Sequence, residues 1–218
     1  MDWQSTLYSL PGIIVGLTVH EYCHARAAFA LGDTTAKDQG RLTLNPLRHI
    51  DLIGFIFILV AGFGWAKPVQ FSPGALRHPR RDKALIAAAG PVSNLLMALI
   101  LVLLFKGSQL LLRHLYALGL ITEGNSGVVI TIMLAILQGT IINMGLFVFN
   151  LIPIPPLDGS HIVFSGLNLA PETEYRIMRI GAPALFIILI VQNRIGITIL
   201  PIGKIVRTLL GILIPELR

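Results

Sequence analysis

The sequence predicts an all-α polytopic membrane protein: a helical bundle with a small re-entrant β element between its first helix and its second full span. Three observations predict it. Of 218 residues, 54% are hydrophobic and only 13% charged, against about 25% charged in soluble domains. The apolar residues fall in blocks, several of which reach the roughly 20 residues that a bilayer requires. Lys and Arg concentrate between the blocks, a positive-inside pattern that accounts for the net charge of +6 without a nucleic-acid surface. The expectation is a single integral membrane domain over residues 1–218, with a core at 7–168 and a C-terminal span and tail at 169–218. No appended soluble domain is expected at this length. The single cysteine, Cys23, excludes an intramolecular disulfide. Met1 to Thr6 lacks a positively charged n-region, so no cleavable signal peptide is expected.

Helix one is expected from Leu7 to Leu31, with Pro11 in its first turn and Gly32-Asp33 as its stop. Arg41 to Asn45 alternates polar and apolar residues between Gly40 and Pro46, the pattern of a short strand. Leu52 to Ala66 is apolar but only fifteen residues long, too short to span, and is expected to be re-entrant. Lys67 to Lys83 reads as a polar loop with five basic residues. Ala84 to Phe105 and Val128 to Phe149 are full spans, joined by a weakly apolar connection. Pro153, Pro155 and Pro156 then break the helix. His161 to Leu169 is short and apolar, Pro171 to Arg179 polar, and Gly181 to Leu200 a last span. The tail from Ile202 to Arg218 fits an amphipathic helix lying in the interface.

Helix one holds the sequence His20-Glu21-Tyr22-Cys23-His24. Two histidines four residues apart lie on one helix face, one turn above the other. Both imidazoles can bind one Zn²⁺, and Glu21, about 100° round the helix, can reach a water on that metal as general base. The setting sharpens this reading, because Ile13, Ile14, Val15, Leu17 and Val19 leave the helix no polar face. Ionisable groups at a membrane helix centre cost about 2.5–3.5 kcal/mol each and mark function. Bound zinc, releasing roughly 10–16 kcal/mol, offsets three of them.

The third ligand is sought at the same depth. Non-helical backbone survives inside a membrane only where it is buried in protein or lines a cavity. Asp158 directly follows the proline-rich break, as a helix N-cap or as a ligand. His24 lies eight residues before Gly32, about 12 Å of helix, and Asp158 nine before Leu167, about 13 Å. The loops 32–50, 67–83 and 171–179 carry three, five and two Lys/Arg, against two in 106–127. Positive-inside then puts the basic loops in the cytoplasm and the site within the bilayer nearer that face, provided 52–66 does not cross. Depth favours the ligand.

The motifs His20-Glu21-x-x-His24, Gly90-Pro91-x-x-Asn94 and Asn150-x-x-Pro153-x-Pro155-Pro156-Leu157-Asp158-Gly159 follow one another over roughly residues 10–168. In that order they resemble the site-2 protease family of intramembrane zinc metalloproteases, in its minimal form without a PDZ domain. The resemblance implies one zinc per chain held by His20, His24 and Asp158, with Glu21 activating water and Asn94 and Asn150 facing the site. It also implies a multi-pass protein of the cell membrane whose substrates are proteins cut in or near their transmembrane segments. It implies nothing about oligomeric state.

Asn94 and Asn150 have two readings that stay open: hydrogen bonds to an oxyanion or to substrate backbone, or interhelical links. A helical substrate must be unwound before it is cut, and the edge of the short strand, at Leu42, Thr43 and Leu44, is expected to hold it. His49 and Asp51 are expected to be interfacial caps or anchors. His78, His114 and His161 are expected to have no catalytic part, and Cys23 to be a packing residue. Two rivals are a zinc-holding homologue that binds membrane helices without cutting, and a small transporter. Glu21 argues against the first, since a structural zinc needs no base. Two metal-binding motifs at one depth argue against the second.

Overall fold

The computed structural model describes residues 3–61, 64–122, 124, 126–167, 169–196 and 198–217. Helix α1 (Trp3–Ala30) starts earlier than expected, so Pro11 lies inside it, and Leu31 and Asp33 donate back to its last carbonyls. A single turn, α2 (Thr35–Asp38), follows, and α3 (Leu52–Ala61) is ten residues, about 15 Å, which is half a bilayer core. Gly62 and Phe63, expected within the re-entrant segment, lie outside the described residues. Then come α4 (Pro79–Ala117), α5 (Gly127–Asn150), α6 (Asp158–Gly166), α7 (Pro171–Ile195) and α8 (Ile202–Leu213). Among the described residues, α4 and α5 are long and apolar enough to cross a membrane. Helix α1 is not one of these, because its histidines, Glu21 and Arg26 lower its hydropathy.

The site sits where α1, α4, α5 and α6 meet. Gly12 packs on Gly139 so tightly that a Cβ there would lie 2.6 Å from the Gly139 Cα. Helices α1 and α5 therefore touch backbone to backbone, as small residues permit between apolar helices. Ala98 of α4, Met144 of α5 and Val206 and Leu210 of α8 form one buried cluster.

No strand occurs among the described residues, which overturns the expected re-entrant β element. Residues 41–45 are irregular, because side chains claim the backbone groups that a ladder would need. The Thr43 carbonyl accepts from His49 Nε2 at 2.7 Å, and Thr43 Oγ1 accepts from the Asn45 N–H at 3.2 Å. Asn45 Oδ1 caps a 3₁₀ turn at Pro46–Arg48 through the Leu47 N–H, 3.1 Å. Arg41 bonds the carbonyls of Arg48 and Lys67. The substrate-holding edge assigned to Leu42, Thr43 and Leu44 falls with the strand, and none of the three lines the cavity described below. His49, expected as an interfacial cap or anchor, is fully buried.

Besides α1, two helices run well past their expected limits. Helix α4 takes in part of the expected loop and connection: Pro79 pre-sets its first turn, Asp82 Oδ2 accepts the His78 N–H at 2.9 Å, and no proline interrupts 106–117. Helix α7 likewise absorbs the polar stretch from Pro171 and stops at Gly196, whose φ is 76°. Gln192 Oε1 closes the turn that follows by accepting the Ile199 and Leu200 N–H groups at 3.0 and 2.8 Å. Part of the apolar stripe of α8, Val206 and Leu210, packs on the protein core, and Lys204 and Arg207 are exposed.

Below the bundle, Asp33 ties the end of α1 to the 71–72 segment. It is 1% exposed. Its Oδ1 accepts from the Thr35 N–H and hydroxyl at 2.9 and 2.6 Å, and its Oδ2 from the Ser72 N–H at 2.6 Å. Burial alone would raise its pKa, but these donors outweigh it and hold the carboxyl below the usual carboxylate range.

Candidate metal centre

His20 and His24 stack one turn apart on α1, and Asp158 opens α6 opposite them. His20 Nε2 lies 3.0 Å from His24 Nε2 and 3.2 Å from Asp158 Oδ2, and His24 Nε2 lies 3.4 Å from Asp158 Oδ1. One ligand atom from each residue falls within 4.8 Å of the others.

The protons are assigned by the partners on the far side of each ring. His20 Nδ1 faces Asn94 Oδ1 at 2.6 Å and His24 Nδ1 faces the Ile86 carbonyl at 2.7 Å. Both partners accept only, so each neutral imidazole carries its proton on Nδ1 and turns a lone pair inward at Nε2. Asp158 Oδ2 correspondingly has no hydrogen-bond donor although it is buried. Two lone pairs and a carboxylate facing one another are repulsive unless a cation lies between them. Gly90 leaves the space: a Cβ there would sit 2.6 Å from His20 Cε1 and Nε2, and against His24 Nε2. The residues fit a zinc ion.

Asn94 is fully buried and wholly engaged. Besides holding His20, its Nδ2 donates to the Gly16 carbonyl at 3.1 Å and to Asn143 Oδ1 at 3.0 Å. Asn143 in turn donates to the Gly139 carbonyl at 2.8 Å. Of its two readings, this geometry is that of an interhelical link that also orients a ligand, as outer hydrogen bonds do at metal sites. Asn150 donates to the Leu146 carbonyl at 3.0 Å and lines the cavity.

That cavity has a volume of about 1030 Å³ and contains His20, Glu21, His24 and Asp158 on its walls. The remaining lining is mainly apolar, including Ile13, Leu17, Trp65, Phe71 and Val206. Glu21 is 8% exposed, and its Oε2 accepts the Val69 N–H at 2.9 Å. His161, expected to have no catalytic part, lines the cavity, with a buried Nδ1 that has no partner among the described residues. Its signal was the spacing of three from Asp158, which puts both on one face of α6. Asn143 and Gly90 were also missed as site residues. An asparagine inside an apolar helix signalled the first, and the Gly90-Pro91-x-x-Asn94 motif contained the second.

The sequence profile of peptidase family M50 matches residues 8–191. The chain belongs to this family, the site-2 proteases. Relatives of the chain include YwhC of Bacillus subtilis, 44% identical over 156 residues, 72% of this chain and 67% of YwhC. Rip2 of Mycolicibacterium smegmatis is 31% identical over 173 residues, 76% of this chain, and Rip2 of Mycobacterium tuberculosis strain H37Rv 31% over 172. Both are named as candidate zinc metalloproteases. This chain spans 58% of the length of Rip2. No solved structure matches it. Zinc is the metal of the M50 family, and His20, His24 and Asp158 form a group able to hold it.

Proposed function

We propose that this chain is an intramembrane zinc metalloprotease that hydrolyses peptide bonds within or near transmembrane segments of membrane proteins. One observation carries the reading: three inward-facing ligand atoms and a carboxylate base share a single, mainly apolar cavity. His20, His24 and Asp158 would hold the ion. Zinc, when bound there, supplies a Lewis acid that acidifies water and polarises the scissile carbonyl. Glu21 takes the proton of the attacking water and delivers it to the leaving amine. The apolar walls accept the side chains of a membrane segment and keep bulk water from the reacting bond. With Asn94 fully engaged, Asn150 is the asparagine left to bond substrate backbone. The basic loops support a site inside the bilayer nearer the cytoplasmic face, reached by membrane-embedded partners.

The test is zinc analysis and a cleavage assay on purified wild type and Glu21→Gln with a membrane-segment substrate. The variant is expected to keep zinc and to lose cleavage by about 10²–10⁴-fold, because an amide cannot take the proton. Wild type that carries zinc and binds such segments without cutting them would instead be a non-catalytic homologue.

A further inference from the structure

We propose that Arg41 is a positioning residue that fixes Glu21 for proton transfer, acting through the backbone of residues 67–69. The inference rests on the general-base reading of Glu21 above. Arg41 is only 4% exposed although it lies in irregular backbone. Its Nη1 donates to the Arg48 carbonyl and its Nη2 to the Lys67 carbonyl. The Lys67 N–H donates to the His49 carbonyl at 2.8 Å, so residue 67 is held from both sides. Two residues on, the Val69 N–H donates to Glu21 Oε2 at 2.9 Å. Arg41 Nη2 itself lies 3.9 Å from the same oxygen.

These contacts divide the two oxygens of Glu21. Oε2 is held by an amide and faced by a cation, whereas Oε1 takes part in none of them. A general base needs that division: one oxygen stops the carboxylate from rotating and the other is left for the proton. A buried guanidinium also needs a compensating charge. Among the described residues, Glu21 is the acidic group within 4 Å of Arg41. If Arg41 served only to close the 41–48 turn, its bond to Arg48 would suffice. Lysine cannot replace it, because one ammonium cannot reach two carbonyls in the fixed fork of a guanidinium.

The experiment compares zinc-loaded wild type, Arg41→Lys and Arg41→Met, all full-length. Zinc content and KM are expected to stay within about twofold of wild type. Turnover is expected to fall about tenfold in Arg41→Lys and about a hundredfold in Arg41→Met, the scale of a misplaced reacting group. An open recess of about 440 Å³ lined by Gln39, Arg41, Lys67, Pro68 and Gln70 gives a small cation access. Millimolar guanidinium is therefore expected to restore Arg41→Met in part, and Glu21→Gln not at all. Amide exchange at Val69, which needs no turnover, is expected to quicken about tenfold in both Arg41 variants, as its bond to Glu21 loosens. Either variant keeping wild-type kcat with zinc bound, a loss carried by KM alone, or unchanged exchange at Val69 would overturn the proposal. If Arg41→Met does not fold, Arg41→Lys decides. If wild type cleaves nothing, the hydrolytic reading fails, and Val69 exchange still tests the clamp.

Discussion

His20 and Glu21 are neighbours on one helix, yet they are held in opposite ways. The metal end of the site is fixed by helices. Asn94 and the Ile86 carbonyl on α4 hold the two imidazoles, and Asn143 on α5 holds Asn94. The base end is fixed by irregular backbone, through the Val69 N–H and the Arg41 guanidinium. A helical wall sets ligand direction to within a fraction of a turn and is hard to move. A loop wall can be retuned by one side chain. The comparison predicts that changes at the metal end remove zinc, whereas changes at the base end leave zinc in place and slow the chemistry.

The largest expected effect is that of Asp158→Ala. It should leave the bundle inserted, since packing holds the helices, but should purify with little zinc and cleave at background rate. Full zinc occupancy in that variant would mean that the third ligand lies elsewhere. Gly90→Ala should follow, because its methyl occupies the space between the imidazoles. We expect zinc affinity to fall more than tenfold while Val69 exchange stays unchanged, and faster exchange there would break the separation of the two ends. Asn94→Leu deprives His20 of its acceptor and should cost about 10–100-fold in zinc affinity, read by competition with a chelator.

A smaller effect is expected at Asp33, away from both ends. Its folded pKa is held low, so its contribution to stability is complete above the ordinary carboxylate value of about 4 and is lost as pH falls below it. The melting temperature of wild type should therefore drop more between pH 6 and pH 3 than that of Asp33→Asn. Leu44→Pro and Leu44→Ala should change turnover by less than about twofold each, because Leu44 is exposed and no ladder needs its amide. A severe loss confined to the proline variant would restore a backbone role to that residue.

The metal end was largely legible in the sequence for a physical reason. Helical periodicity alone puts His20 over His24, and a proline-rich break at matched depth points to Asp158. The base end was not legible. Arg41 to Asn45 alternates as a strand would, but that pattern does not register Thr43, Asn45, His49 and Arg41 capturing their own local carbonyls and amides. The same limit explains α8. Its stripe was read as that of an interfacial helix, and periodicity does not register that Val206 and Leu210 pack on Ala98 and Met144. Helix ends were missed where capping, at Asp82 and at Gly196, outweighed local polarity.

The inward-facing imidazoles have a consequence for affinity. Each Nδ1 is bonded on the side of the ring away from the ligand atom, to Asn94 Oδ1 and to the Ile86 carbonyl, and these bonds restrict both side-chain rotors. Immobilising such a group at the moment of binding would weaken association by about 0.5–1.5 kcal/mol apiece. To the extent that these bonds hold the rings, that entropic loss belongs to the folding equilibrium and not to the binding step.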